Sequence, residues 1–94
     1  MSGGYFNYNQ HRISDIADTI EEIINTNDSQ EKDNFGYEIG RHYKKETIDE
    51  FKNGLAILRM AAIYAHRIDW LVSGDDGEDN FLKKLKAELD AIEN

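Results

Sequence analysis

Three stretches of the chain repeat apolar residues at intervals of three and four, the spacing that places side chains on one face of an α-helix. The first stretch covers residues 11–25. Its acidic residues fall off the apolar stripe, which is typical of a surface helix with one buried face. The stripe consists of Ile13, Ile16, Ile20 and Ile23.

The second stretch, residues 45–72, predicts one helix roughly 42 Å long. It carries two adjacent apolar stripes, so we expect neighbours on more than one side. Gly54 weakens this helix by about 1 kcal/mol relative to alanine, and we expect it to permit close approach of another backbone. The first stripe is Ile48, Phe51, Leu55, Leu58, Ala62 and Ala65; the second is Ile57, Ala61, Tyr64, Ile68 and Leu71.

The third stretch, residues 76–92, predicts a helix with a narrow apolar stripe. Gly74 precedes it and suits a left-handed cap at the end of the long helix. The stripe consists of Leu82, Leu85, Leu89 and Ile92.

Two segments lack this periodicity. Residues 1–9 form an aromatic arm, in which Tyr5, Phe6 and Tyr8 either dock on the protein's own helices or form a wall for a planar ligand or a partner. Residues 26–43 form a long loop, which is either a short extended piece or a compact loop with its glycines at turns or close approaches.

These elements predict one all-α domain over residues 1–94, a small three-helix assembly. The long helix lies in the centre, and a shorter helix runs antiparallel to it on each side. The shorter helices, about 22–26 Å long, cannot cover both stripes of the long helix unless they stagger along it. We therefore expect self-association as a symmetric dimer or a higher closed ring.

Charge and composition limit the classes of partner that we expect for this protein. The chain has 19 acidic and 11 basic residues, a net charge of -8, which disfavours direct binding of nucleic acid. An acidic surface either keeps the protein soluble or, as a more specific hypothesis, imitates DNA and occupies a basic groove on another protein. There is no cysteine, no apolar run long enough to span a membrane and no pattern of a secretory signal, so we expect a cytoplasmic protein.

Catalytic and metal-binding patterns are weak. The acidic run from Asp75 to Asp79 departs from the calcium-loop pattern and favours a helix cap. His66 and Asp69 share a helix face and form at most one edge of a metal site, and no nucleophile or phosphate-loop motif occurs. The sequence therefore predicts a protein that is not an enzyme and uses no metal or cofactor.

Arginines near aromatic rings are the more informative set. Arginine matches phosphate geometry and aromatic rings stack on bases, so the set predicts a site for a phosphorylated or planar ligand. The alternative is that the arginines pair with the many carboxylates and the rings pack in the core. The candidate ligand-binding residues are Tyr5, Tyr8, Arg12, Arg41, Tyr43, Arg67 and Trp70.

Two segments also resemble a known group of sequences. The opening MSGGYFNY and the segment RIDWLVSGDDGE, residues 67–78, are similar to short uncharacterised proteins of bacteriophages and prophages. The resemblance runs the full length and implies a viral origin and a setting in the host cytoplasm. It carries no catalytic residues with it.

Three functional hypotheses follow. The first is an oligomeric, non-enzymatic phage-type protein that sequesters or antagonises a host component, most concretely a nucleotide-derived immune signal. The alternative is an acidic inhibitor that binds a basic surface of a host protein, as a DNA mimic does. The third is an assembly factor whose only partner is itself.

Overall fold

The computed structural model of the chain describes residues 5–93, and in this range it contains three α-helices and no strand beyond one isolated bridge. Helix α1 is Gln10–Thr26, α2 is Lys45–Val72 and α3 is Glu78–Glu93. The predicted all-α fold with a long central helix is confirmed. Every helix end lies within two residues of its predicted position.

Two local features determine the turn between α2 and α3, one in the backbone and one in a side chain. Gly74 has a φ of 82°, the left-handed conformation predicted for it. The Asp76 carboxylate accepts hydrogen bonds from the Gly77 backbone (3.2 Å) and from the Asn80 amide (3.0 Å). Asp76 therefore lies outside the helix that it stabilises, and α3 begins at Glu78 rather than at residue 76.

Both shorter helices run antiparallel to α2, as predicted. The start of α1 meets the end of α2, where Gln10 Nε2 donates to Asp69 Oδ2 at 3.1 Å. The short turn at Gly74 folds α3 back along α2, and Arg67 Nε donates to Glu88 Oε1 at 2.8 Å.

The three helices form a single layer. Helices α1 and α3 each pack on α2 and, within residues 5–93, not on each other. The molecule measures 51 × 29 × 14 Å, and its thickness is close to the diameter of one helix with its side chains, about 10–12 Å. Such a layer encloses little: in the part of the chain that the structure describes, Ala17 and Ile48 are the only buried apolar residues.

The two stripes of α2 have different surroundings. The first stripe contains the buried Ile48 and lies towards α1. The second remains open on one broad side of the layer, where Ile57 is 61 % and Tyr64 45 % exposed. Self-association remains a prediction, and this open stripe is its structural basis.

The loop between α1 and α2, residues 27–44, is compact. The buried Asn27 closes its base, because its side-chain amide accepts from the Tyr43 N–H at 2.9 Å and donates to the Tyr43 carbonyl at 3.0 Å. Gly36, with a φ of 85°, lies at a turn. A Cβ at Gly40 would lie against the Ser29 carbonyl oxygen and 2.7 Å from that of Asn27. The loop therefore combines the two alternatives, since its base is closed with Gly40 at a close approach and its tip is a short extended piece bridged at Lys32 and Glu38. In the described part of the chain, no helix has the length and apolar character needed to cross a membrane.

Candidate functional site

One broad side of the layer carries a groove of about 400 Å³, with α2 as its floor and α1 and α3 as its walls. The α2 side chains that line it follow intervals of three and four residues, so one face of the helix supplies the floor. Ala62 and Ile63 make this floor apolar. The polar lining residues are Gln10, His11 and Ser14 of α1, Arg59 and His66 of α2, and Glu88 of α3.

A row of four rings runs from the aromatic arm to the end of α2. The ring centres of Tyr8 and His11 lie 5.8 Å apart and the rings are nearly parallel, at 25°. The centres of His11 and His66 lie 6.4 Å apart, and those of His66 and Trp70 5.4 Å. The Arg67 guanidinium carbon lies 5.4 Å from the centre of the Trp70 ring. The His66 ring is tilted by 52° to His11 and by 55° to Trp70, so the row offers individual ring faces and a cation–π contact rather than one flat wall.

Asp69 fastens the arm to α2. Its buried carboxylate accepts hydrogen bonds from the backbone N–H groups of Tyr5 (2.6 Å) and Phe6 (3.0 Å), as well as from Gln10. The backbone of the arm therefore docks on α2 at residues 5 and 6, while Tyr5 stays 67 % exposed, and residues 1–4 lie outside the described part. The Tyr8 side of the arm stays accessible, with Tyr8 52 % exposed.

The backbone at the arm is strained. Asn7 and Tyr8 have φ values of 53° and 63°, in the left-handed region. This conformation costs a non-glycine residue roughly 1–2 kcal/mol and persists only where other contacts hold it. The Asp69 hydrogen bonds on one side and the Tyr8–His11 stacking on the other provide those contacts.

Two buried polar atoms beside the row have no partner. Arg67 is buried, and its Nε atom is bonded to Glu88, but its Nη1 atom has no hydrogen-bond partner. Gln10 is buried as well, and its Oε1 atom accepts no hydrogen bond. Gln10 lines the groove, whereas Arg67 does not, and within the described residues Ser73 Oγ and Asp76 Oδ2 are equally unpaired, so these free groups alone do not mark a ligand site.

Burial of His66 lowers the pKa of its imidazole below the ordinary value of 6.5. The neighbouring Arg67 and His11 lower it further, while Glu88 and Asp69 oppose them. His66 is therefore neutral at pH 7 and presents one donor and one acceptor nitrogen.

Arg59, at the other end of the groove, is already paired. Its Nη1 atom lies 2.8 Å from Asp18 Oδ1, and its Nη2 atom lies 3.5 Å from Glu21 Oε1. This guanidinium is therefore largely neutralised by α1, and the groove is polar rather than strongly positive.

The structure divides the predicted ligand-binding residues. Tyr8, Arg67 and Trp70 come together in the ring row. Arg12 is exposed and lies about 200° around α1 from Gln10, away from the row. Tyr5 lines a second cavity, of about 480 Å³, between the arm, α1 and α2.

Arg41 and Tyr43 lie at the opposite end of α2, next to its first turn. The Tyr43 ring packs on Phe51 with ring centres 5.6 Å apart. About 33 Å of helix separates this end from Arg67, so the seven residues do not form one site within a chain. The sequence grouped these two residues with the others through an expected contact between copies, and within one chain the length of α2 holds them apart from the ring row.

Several groove residues were not anticipated. The sequence indicated His66 and Asp69 only as an edge of a metal site, and within residues 5–93 no group of three or more histidine, aspartate or glutamate side chains is placed to hold a metal ion. The i, i+3, i+4, i+7 series from Arg59 to His66 was the available signal. The groove residues on α1 and α3 could not be predicted in this way, because their approach to α2 depends on tertiary packing.

Comparisons of the chain with protein families, with curated proteins and with solved structures find no match.

Proposed function

We propose that the protein acts by binding and does not catalyse a reaction, and that an oligomer of it sequesters a planar, phosphorylated ligand of nucleotide type in the groove. The observation that carries this proposal is the row of four rings, of which His11 and His66 line the groove. A heterocycle has a flat face that stacks on single rings of this kind.

The polar atoms beside the row suit the edge of such a ligand. The donor nitrogen of His66, which lines the groove, donates to a ligand oxygen, either a ring carbonyl or a phosphate. The Gln10 Oε1 atom accepts from a ligand amino group. One donor, one acceptor and a stacking surface are the elements with which proteins distinguish unpaired bases.

Binding without catalysis fits the way the charged groups of the groove are used. Arg67 pairs with Glu88, Arg59 pairs with Asp18, and the Asp69 carboxylate accepts three hydrogen bonds. Arginine keeps its proton in folded proteins and the Asp69 carboxylate is already occupied by its three donors, so these groups hold structure rather than transfer a proton to a ligand.

The biological role in this proposal comes from the resemblance to phage and prophage proteins. Sequestration of a nucleotide-derived immune signal in the host cytoplasm is the concrete form. It requires tight, stoichiometric capture, which a small protein made in quantity provides without turnover.

Isothermal titration calorimetry against cyclic dinucleotides and ADP-ribose derivatives tests the proposal. We expect saturable heat with at least one of them, and a loss of about 5- to 150-fold in affinity for Trp70→Ala, because stacking on one base contributes roughly 1–3 kcal/mol. Arg41→Ala is the matched control, since this exposed arginine lies at the far end of α2, and it should bind as the unaltered protein does.

Absence of heat with every compound in a folded sample would contradict the nucleotide form of the proposal. Equal losses for Trp70→Ala and Arg41→Ala would place the site elsewhere.

A second candidate function is supported by the distribution of acidic side chains. Because α1 and α3 form the two long edges of the layer, the exposed carboxylates of α1 place negative charge along one edge, while those of α3 are interspersed with the exposed Lys83, Lys84 and Lys86. This arrangement favours the acidic inhibitor that binds a basic surface of a host protein. Pull-down from host lysate at low and high salt tests it, since a partner held by exposed charges is released steeply as salt rises.

A further inference from the structure

The side of α2 that faces away from the groove is open along most of its length. Arg59, in the groove, lies about 200° around the helix from Ile57, which therefore points to the opposite side of the layer. Four residues of the second stripe lie on this side together with Gly54, and we call these five the open face. They are Gly54, Ile57, Ala61, Tyr64 and Ile68.

The open face is apolar and free of charge. From Asn53 to Leu71, about 27 Å of helix, the positions that point this way carry no charged side chain. The first acidic residues on this side, Glu46 and Glu50, lie near the start of α2 and are exposed. An uninterrupted apolar strip of this length is unusual for the surface of a monomer.

The accessible surface of the molecule is larger than that of a compact monomer of the same mass. Its accessible surface is 6986 Å², whereas a folded monomer of 10.9 kDa exposes about 5,600 Å². The excess, about 1,400 Å², exceeds the roughly 800 Å² that each partner buries in a dimer of standard size. A single layer of helices also needs a second layer to enclose a core.

We propose that a second copy of the chain supplies that layer, and that the open faces of the two copies pack against each other with their α2 helices antiparallel. Parallel pairing would place Glu50 of one copy beside Glu50 of the other. Antiparallel pairing places it near Val72, which is apolar and exposed, and aligns the helix dipoles favourably.

The small residues of the open face set the crossing point. Ala61 lies at its centre, and a two-fold axis there brings Gly54 of each copy opposite Ile68 of the other. Within one chain, a Cβ at Gly54 would meet nothing within 4 Å. The glycine therefore leaves a notch in the open face that the isoleucine of the second copy fills.

This inference rests on the oligomer of the proposed function and names its contact surface. The groove faces the other way, so pairing and ligand binding are separable. In the paired state both grooves remain open to solvent.

Sedimentation velocity across the micromolar range tests the pairing on the full chain and on single variants. The unaltered protein should sediment as a dimer or a larger even-numbered assembly. Ile57→Asp should weaken association by at least about tenfold, because it places a charge in the apolar contact. Ile16→Asp on α1 is the matched control, since Ile16 is 53 % exposed and lies outside the open face, and it should associate normally.

Gly54→Leu separates pairing from folding. Leucine fills the notch and should also weaken association at least about tenfold. Leucine also favours a helix over glycine, so in the Ile57→Asp background, where pairing is already lost, it should raise the melting temperature.

An unaltered protein that sediments as a monomer overturns the pairing, and so does an Ile57→Asp variant that associates normally or an Ile16→Asp variant that dissociates equally. A monomer that still gives heat with a nucleotide would contradict the dimer and support ligand binding in the groove. A dimer that gives heat with no nucleotide would contradict the proposed ligand and support the dimer.

Discussion

At the scale of single residues, Asp69 connects the fold to the candidate site. Its carboxylate is buried on α2 and has three donors around it, two from the backbone of the arm and one from Gln10. Only an acceptor fits such surroundings. The position of Tyr8 at the end of the ring row therefore depends on a carboxylate that need not touch the ligand.

Asp69→Asn tests this dependence. The new amide places an N–H group against donors, so we expect a loss of roughly 1–3 kcal/mol in the free energy of unfolding and rapid hydrogen exchange at the amides of Tyr5 and Phe6. Denaturant unfolding and exchange measured by NMR report the two effects. Asp90→Asn, an exposed carboxylate on α3, is the control and should change neither. Protected arm amides in Asp69→Asn would show that the arm is held by something else.

His66 makes stability depend on pH. Its pKa in the folded chain lies below 6.5, chiefly because of burial, so the unfolded chain takes up the proton first as the pH falls. The stability that neutral His66 contributes is complete above about pH 6.5 and is lost as the pH falls towards the lowered pKa. His66→Gln cannot take up this proton, and its unfolding free energy should fall less steeply than that of the unaltered protein between pH 7 and pH 5.

His42→Gln is the matched control for this measurement, because His42 is exposed in the loop and pairs only with Glu38 there. We expect it to retain the steep dependence. Equal slopes for His66→Gln and the unaltered protein would mean that His66 is not the group that titrates.

At the scale of elements, the loop of residues 27–44 is held in its conformation by its own hydrogen bonds. Asn27 closes its base on Tyr43, and the Asp33 carboxylate accepts from the backbone N–H groups of Phe35 (2.8 Å) and Tyr37 (3.0 Å) at its tip. Gly40 lies between these two ends, where the chain passes close to the carbonyl groups that follow α1.

Gly40→Ala should destabilise the protein by about 2 kcal/mol or more, because its methyl group would lie against the carbonyl oxygens of Ser29 and Asn27 and the backbone must shift. Thermal unfolding measures the effect. Gly77→Ala is a suitable comparison, since a methyl group there meets nothing within 4 Å. Similar melting temperatures for both variants would contradict the close approach at Gly40.

The helices were predictable because their periodicity is local, whereas the loop and the site were not. Each helix stripe repeats within a few turns, and Gly74 marks a helix end through its own conformational freedom. The closure of the loop joins Asn27 to Tyr43, and the ring row joins His11 to His66, through contacts that exist only after the helices pack. Tyr43 was assigned to the ligand site by its residue type alone, and the length of α2 separates it from that site.

At the scale of the whole molecule, the layer is unusually open. Its radius of gyration is 17.1 Å, whereas a compact domain of this length has about 12 Å. α3 covers only the second half of one side of α2. The shorter helices therefore do not cover both apolar stripes of α2 within one chain. The apolar surface that remains is the reason to expect a second copy.

Native mass spectrometry of the purified chain tests the central claim, that one copy does not complete its own core. The account predicts an even multiple of the 10.9 kDa chain, with any retained ligand seen as added mass. A single 10.9 kDa species at every concentration in the micromolar range would contradict it.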